Sequence, residues 1–296
     1  MNKISTQPTP PRLHAPDLRW SGLTHKGKVR PNNEDAFLGL CFEGHDVRYL
    51  GKTGEASVSN ADFVFAVSDG MGGAQSGEFA SRITIEKLSH WLPKSFQMSA
   101  LGVAVNQTEL LVEVFHSIHG ELLNLSRSYE ECRGMGTTLS MCWFTPERVY
   151  FGHIGDSRIY HLPKSGDMHQ LTHDHTHTGW LRRKGQINER EARSHPMRHS
   201  LNQALGTGRQ IVEPQVGAVV YEPGDRFLLC SDGLTDGLWD RHLDEFARLP
   251  NPDETGRNPA QRLIDESLER SGRDNLTAMV IETNRAASLP PQMPTS

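Results

Sequence analysis

Short apolar runs rich in β-branched and aromatic residues recur along the chain, and three of them end on a small residue followed by aspartate. The runs Phe63 to Val67, Thr138 to Phe144, Val149 to Ile154, Arg226 to Cys230 and Ala278 to Ile281 have the length and residue types of strands. Pro146-Glu147-Arg148, between the second and third, predicts a hairpin. Helical spacing replaces this pattern elsewhere. Leu111, Val114, Phe115, Ile118, Leu122 and Leu125 fall on one helical face, and Ala260, Leu263, Ile264 and Leu268 repeat the arrangement near the end. Residues 78–92, after a glycine cluster, read as a third helix. Strands in hairpin-like succession with long helices inserted predict an α+β chain, sheet packed on sheet and helices outside. The alternation is too irregular for a parallel βαβ protein.

Residues 1–16 and 286–296 are rich in Pro, Thr and Ser and read as disordered tails. No long linker or internal repeat separates them, which predicts one domain over 17–285. With 36% hydrophobic and 23% charged residues the chain can bury a core. A net charge of −5 without a basic run excludes a nucleic-acid surface. The first residues lack the apolar stretch of a signal peptide, and no segment approaches the ~18 apolar residues of a membrane helix. Cys41, Cys132, Cys142 and Cys230 show no C-x-x-C pairing and read as reduced, buried thiols. These features together predict a cytoplasmic protein with no membrane partner.

Acidic residues sit where the apolar runs stop: Glu34 in Arg-Pro-Asn-Asn-Glu-Asp, Asp69 in Val-Ser-Asp-Gly-Met, Asp156 in Ile-Gly-Asp-Ser-Arg, Asp232 in Cys-Ser-Asp-Gly-Leu and Asp274 in Gly-Arg-Asp-Asn-Leu. Several carboxylates brought together repel, and a hard divalent cation relieves the repulsion, because Mg²⁺ and Mn²⁺ prefer oxygen ligands. Asp69 and Asp232 form the strongest pair. Each ends a strand and precedes a glycine, so that the chain can turn sharply and the Gly70 carbonyl can approach a cation. An Asp-Gly turn is the plain alternative for each. For Asp274 the alternative is an Asx turn, and for Asp156 a buried ion pair with Arg158. Arg30 lies four residues before Glu34, and a guanidinium there can grip a phosphate in bidentate fashion, or simply pair within an exposed loop. Gly134-Met-Gly-Thr-Thr-Leu lacks the lysine of a phosphate-binding loop, and Gly70-Met-Gly-Gly is no dinucleotide fingerprint; both read as close backbone packing. His169, His173, His175 and His177 raise a zinc site, the last three sharing a face if they lie in a strand. No cysteine or H-E-x-x-H pattern completes it, and a polar flank of the active site is the preferred reading.

Read together, these segments resemble the metal-dependent protein serine/threonine phosphatases of the protein phosphatase 2C (PPM) family, in its compact bacterial branch. The matching stretches are residues 27–36, 67–73, 134–138, 152–158, 171–175, 203–206, 229–234 and 273–277, in family order. The resemblance implies a four-layer αββα sandwich of two antiparallel sheets flanked by helix pairs, with two Mn²⁺ or Mg²⁺ ions, and a weaker third, in a cleft at one end. It implies that Asp69 bridges two ions, that Asp232 and Asp274 complete the first site, and that Glu34 and the Gly70 carbonyl complete the second. Asp156 with Asp232 would hold the third ion, Arg30 the substrate phosphate, and Asp35 the attacking water. Met71 occupies the place where many eukaryotic members carry a histidine. Residues 172–200 resemble the family's flap, and their Arg and His content suits contact with a phosphorylated chain.

The implied activity is hydrolysis of phosphoserine and phosphothreonine in proteins by a metal-activated water, with phosphoproteins and a cognate bacterial Ser/Thr kinase as partners and a monomer as the default state. A phosphatase dedicated to one small regulatory partner ranks lower, because the Arg30 to Asp35 segment is intact. A non-catalytic, phosphoprotein-binding pseudophosphatase would be marked by lost metal aspartates.

Overall fold

Strand β1 (Asp17–His25) opens the chain in this computed structural model, followed by β2 (Asp35–Glu43), β3 (Asp46–Tyr49), β4 (Thr53–Ser57) and β5 (Asp62–Met71). Two long helices, α1 (Ser76–Ala100) and α2 (Gln107–Ser128), precede β6 (Gly136–Thr137), β7 (Leu139–Phe144), β8 (Arg148–Ile154), β9 (Arg158–Leu162) and β10 (His169–Gln170). Two short helices, α3 (His177–Arg183) and α4 (Glu189–Ser194), lead to β11 (Gln215–Val220) and β12 (Arg226–Cys230). Helices α5 (Asp232–Gly237), α6 (Asp240–Arg248) and α7 (Pro259–Arg270) then precede β13 (Leu276–Asn284). The structure describes residues 17–284 except 44–45, 60, 73–75, 101–105, 209–211 and 250–255, and only the backbone of 93–100. Both expected tails lie outside the described residues.

All strand pairings are antiparallel. One sheet runs β10-β9-β12-β13-β1-β4 and the other β11-β8-β7-β5-β2-β3, with β6 extending the end of β5. Three apolar cores separate four layers. Trp20, Phe63, Phe65, Phe144, Phe227, Met279 and Ile281 fill the space between the sheets, where the Phe144 and Phe227 rings meet edge to face at 5.2 Å. On one outer side Leu111, Val114, Phe115, Ile118 and Leu122 of α2 pack with Leu88 of α1 against Val64, Ala66 and Met141. On the other, Leu234, Leu243, Leu263 and Ile264 cover Leu228, Cys230, Ala278 and Val280. The α+β sandwich expected from the sequence is therefore the fold.

The covering of both sheet faces explains why β5, β7, β8, β12 and β13 read as continuous apolar runs, although β2, also buried on both faces, was overlooked. In β5, Phe63, Phe65 and Val67 point between the sheets while Val64 and Ala66 meet the helices, so no polar face interrupts the run. Strand β1, Asp-Leu-Arg-Trp-Ser-Gly-Leu-Thr-His, has only one deeply apolar face and carries no such signal. The hairpin between β7 and β8 forms as predicted, the Thr145 amide donating to the Arg148 carbonyl at 2.9 Å. Two expectations fail. Strand β5 does not turn at Asp69-Gly70 but continues to Met71, and Asp232 opens α5.

Candidate active site

The register of β2 against β5 sets Asp35 directly opposite Asp69. Like charges in that position repel; Asp35 is buried and Asp69 partly so. Asp35 is fixed on one side only: its Oδ2 accepts from Ser231 Oγ and Thr277 Oγ1, each at 2.7 Å. Its Oδ1 is buried with no partner. Burial, against the pull of the two hydroxyls, pushes the Asp35 carboxyl up to about 7. Asp69 is held well above the usual carboxylate range by burial and then by Asp35, Asp232, Asp156 and Asp274. The five aspartates therefore share one electrostatic neighbourhood, although 239 residues separate Asp35 from Asp274.

The backbone carrying each acid is held by short polar side chains. The Asp69 amide donates to Thr138 Oγ1 (3.0 Å), and its carbonyl accepts from the Thr138 amide (2.9 Å) and Thr137 Oγ1 (2.7 Å). Ser68 Oγ and Thr138 Oγ1 extend this buried hydroxyl layer to Thr137 and Ser157. Glu34 precedes β2, its amide donating to Asn275 Oδ1 at 2.8 Å and its carbonyl accepting from the Gly70 amide at 3.1 Å. Asn275 also ties the loop before Glu34 by donating to the Lys26 and Asn32 carbonyls. A Cβ on Gly70 would lie 2.0 Å from the Gly77 carbonyl oxygen, and one on Gly77 would lie 2.9 Å from Glu34 Cδ. Only glycine at both positions lets the Glu34 carboxylate, the start of α1 and the Gly70 peptide come this close.

Asp156 lies in the turn between β8 and β9, buried, and burial with Asp232 and Asp174 holds its carboxyl well above the usual range. It is not the partner of Arg158. That guanidinium forms a bidentate pair with Asp174, at 2.8 and 2.6 Å, and donates to Tyr160 Oη. Arg30 likewise does not pair with Glu34; its Nη2 lies 2.7 Å from Asp274 Oδ2, with the side chain half exposed.

The donor set fits a hard divalent cation: the five aspartates that share this neighbourhood offer only oxygen ligands, and one of them, Asp35 Oδ1, is buried and unpartnered. Among the described residues no three His, Cys, Asp or Glu side chains already close into a metal cage. Ions bound here would keep several waters, as Mg²⁺ and Mn²⁺ do. The same observation removes the zinc reading of the histidines. His173, His175 and His177 do not share a strand face: the first two lie outside any strand, His177 begins α3, and the His175 ring lies tilted 4.9 Å from buried His153, while His169 is in β10. Burial pushes His153 down to about 3 and His175 to about 4, so both are neutral packing groups.

Residues 172–200, carrying α3 and α4, lean against this cleft. A cavity of about 60 Å³ between them and α5 is lined by Asp156, Asp232, Asp236 and His199. His199 Nδ1 lies 3.3 Å from Asp232 Oδ2 and its Nε2 lies 3.7 Å from Asp236. The contact with Asp232, ahead of burial, raises the His199 pKa. Sequence reasoning missed Ser231, Thr277, Asn275, Thr138, Asp236 and His199. The serine before each of Asp69 and Asp232 was a usable signal, since a buried carboxylate needs hydroxyl donors. His199 carried none.

The structure is thus a sandwich of two antiparallel sheets between helical layers, with carboxylates meeting across the strand ends. The family model described as "Protein phosphatase 2C" matches residues 53–269. The serine/threonine protein phosphatase PstP of Mycobacterium tuberculosis is 34% identical over 268 residues, covering 90% of this chain and 45% of PstP. The serine/threonine phosphatase stp of Listeria innocua is 30% identical over 262 residues, covering 88% of this chain and 94% of its own length. The crystal structure of M. tuberculosis PstP superposes with a TM-score of 0.71 at 33% identity, covering 90% of this chain and 99% of that one. The PstP catalytic domain in complex with two manganese ions gives 0.70 at 30% identity, covering 91% and 99%. The chain spans about half the length of full PstP. It belongs to the protein phosphatase 2C family.

Proposed function

We propose that this chain is a metal-dependent phosphatase that hydrolyses phosphoserine and phosphothreonine in proteins, as a cytoplasmic monomer opposing a bacterial Ser/Thr kinase. The observation that carries the reading is the meeting of Asp35, Asp69, Asp156, Asp232 and Asp274 in one buried neighbourhood with Asp35 Oδ1 unpartnered. Asp69 with Asp232 and Asp274 would hold one Mn²⁺ or Mg²⁺, Glu34 and the Gly70 carbonyl with Asp69 a second, and Asp156 with Asp232 a weaker third. When bound, such ions lower the pKa of water toward neutrality and offset charge on the phosphoryl oxygens.

The chain's own groups do the rest. Asp35 is fixed by Ser231 and Thr277 so that its free Oδ1 can accept a hydrogen bond from the attacking water and orient it in line with the leaving oxygen. Arg30, half exposed at the rim, donates to the phosphoryl oxygens. The four cysteines are all buried thiols, and burial raises the Cys230 thiol to about 12, so no cysteine nucleophile is available. A pseudophosphatase would have lost acidic ligands, and none is lost here.

The test is hydrolysis of a phosphothreonine peptide with Mn²⁺, beside an EDTA control and Asp232→Asn. Turnover that both abolish is the expected result. Turnover indifferent to EDTA, or retained in the variant, would overturn the assignment.

A further inference from the structure

A recess of about 410 Å³ opens beside α5, where the flap meets the segment joining α7 to β13, and its lining includes Arg193, Arg198, Asp236, Trp239, Arg270 and Arg273. Four guanidinium groups around one carboxylate is a marked local excess in a chain whose net charge is −5. Two of the four are committed to structure. Arg193 donates to Glu189 and to the Leu238 carbonyl and lies 4.4 Å over the Trp239 ring. Arg270 pairs with Glu266 at 3.3 Å. Among the described residues Arg198 and Arg273 have no ion-pair partner. Asp236 lies 3.7 Å from His199 and also faces the charges of Arg198 and Arg193, so one carboxylate stands against four guanidinium groups.

The recess adjoins the proposed metal centre on two sides. Asp236 lies one helical turn beyond Asp232, about 6 Å along α5, and Arg273 directly precedes Asp274. An extended peptide advances about 3.3 Å per residue. A substrate chain running from the centre along this side would reach the recess about two residues from its phosphoresidue.

We propose that this recess is a second anion-binding subsite for the substrate chain, in which Arg198 and Arg273 receive a carboxylate or a second phosphate about two residues from the phosphoresidue. The subsite rests on the phosphatase reading and sets which phosphoproteins are preferred. Two charge-assisted contacts at a partly exposed site give a selectivity of about tenfold, weakened by salt.

The test uses three phosphothreonine peptides: neutral flanks, glutamates at the flanking positions, and a non-hydrolysable phosphonate there. The readout is the ratio of kcat/KM for each anionic peptide to that for the neutral one, which cancels any general loss of activity in a variant. In the unaltered protein at low salt at least one ratio is expected near ten, and the arm that shows it identifies the anion. Arg198→Gln is expected to lower the ratio about threefold, and Arg198→Gln with Arg273→Gln to bring it to about one. A ratio near one for both arms in the unaltered protein, or one undiminished in the double variant, would overturn the subsite. If no peptide is hydrolysed with Mn²⁺, the phosphatase reading itself falls. Fluorescence anisotropy of the labelled anionic peptides then decides the subsite alone: tighter binding to the unaltered protein than to the double variant supports it, and equal binding overturns it.

Discussion

The pair Arg158–Asp174 allows a quantitative test of how the flap is held. Its two contacts, 2.8 and 2.6 Å, are bidentate, and each side chain is only 14% exposed. Asp174→Ala leaves a buried guanidinium without its main counter-charge, a change that costs about 3–5 kcal/mol in comparable pairs. Two groups soften the loss here: Tyr160 Oη stays at 2.9 Å from Nη1, and Asp240 lies 3.8 Å away. The expected cost is therefore at the low end, about 3 kcal/mol, against a total stability of roughly 5–15 kcal/mol. Replacing both partners by apolar residues of similar volume, Arg158→Met with Asp174→Leu, removes the stranded charge. It is expected to cost within about 1 kcal/mol of the unaltered protein, since Asp240 keeps Arg182 at 2.6 Å. Urea unfolding at pH 7 in EDTA measures all three proteins. The reasoning is refuted if Asp174→Ala costs under about 1 kcal/mol, or if the double variant is no more stable than the single one. A pH series adds a check. Burial raises the Asp174 carboxyl, but Arg158 outweighs it and the net shift is downward. The pair's contribution is thus full above the unfolded value of ~3.9 and is lost as pH falls through the lower folded value.

The acidic centre titrates in the opposite sense. Asp35 is pushed up to about 7, and Asp69 and Asp156 are raised with it, so the folded protein keeps protons that the unfolded chain releases above ~3.9. EDTA-treated protein should lose stability as pH rises from about 4 to 7, and thermal melts should show Mn²⁺ stabilising more at pH 7.5 than at pH 5; equal shifts would refute this. Gly70→Ala places a Cβ 2.0 Å from the Gly77 carbonyl and should cost about 1–3 kcal/mol, with weaker Mn²⁺ binding by calorimetry. Gly120→Ala in α2, where a Cβ meets nothing, should instead stabilise by up to about 1 kcal/mol. Asn275→Ala strands the Glu34 amide and two carbonyls. It should weaken Mn²⁺ binding more than it lowers the melting temperature of the metal-free protein, and the reverse order would count against a positioning role.

The layers of the fold were legible because residues buried on both faces leave long apolar runs. Phe63 to Val67 and Ala278 to Ile281 announce themselves in this way. Strands β1, β3 and β4 did not, since each has a solvent face or an edge position and their residues alternate with charge; β2 was missed as well, although it is largely buried. The acids were legible as types at run ends, but the turn expected at one of them did not form, and an ion pair weighed as the alternative at another was not made. At Asp69-Gly70 the glycine serves the approach of Gly77 and not a turn. At Asp156 the neighbouring arginine is taken by Asp174, eighteen residues on, a pairing that depends on how the flap folds back. Local spacing carries no information about such a contact. The same holds for His199 and Asp232, which are brought together only by the return of the chain after α4.

What keeps these carboxylates together is a layer of hydroxyl groups beneath them. Ser231 and Thr277 grip Asp35 from β12's end and from β13. Ser68, Thr137, Thr138 and Ser157 form a second buried chain around the Asp69 backbone. Hydroxyls suit this task because each can donate to an acid and accept from a neighbour without adding charge. An arginine or lysine in their place would neutralise the carboxylates and compete with a cation for them. Arg158, buried nearby, makes its ion pair with Asp174 and acts on Asp156 only at longer range. Arg30, at the rim, pairs with Asp274 and stays half exposed. Positive charge is thus kept at the edge of the centre, where it can meet a phosphate, and away from its floor. The repulsion among the aspartates is left for a divalent ion to relieve, and that unrelieved charge is the source of the pH-dependent metal stabilisation expected above.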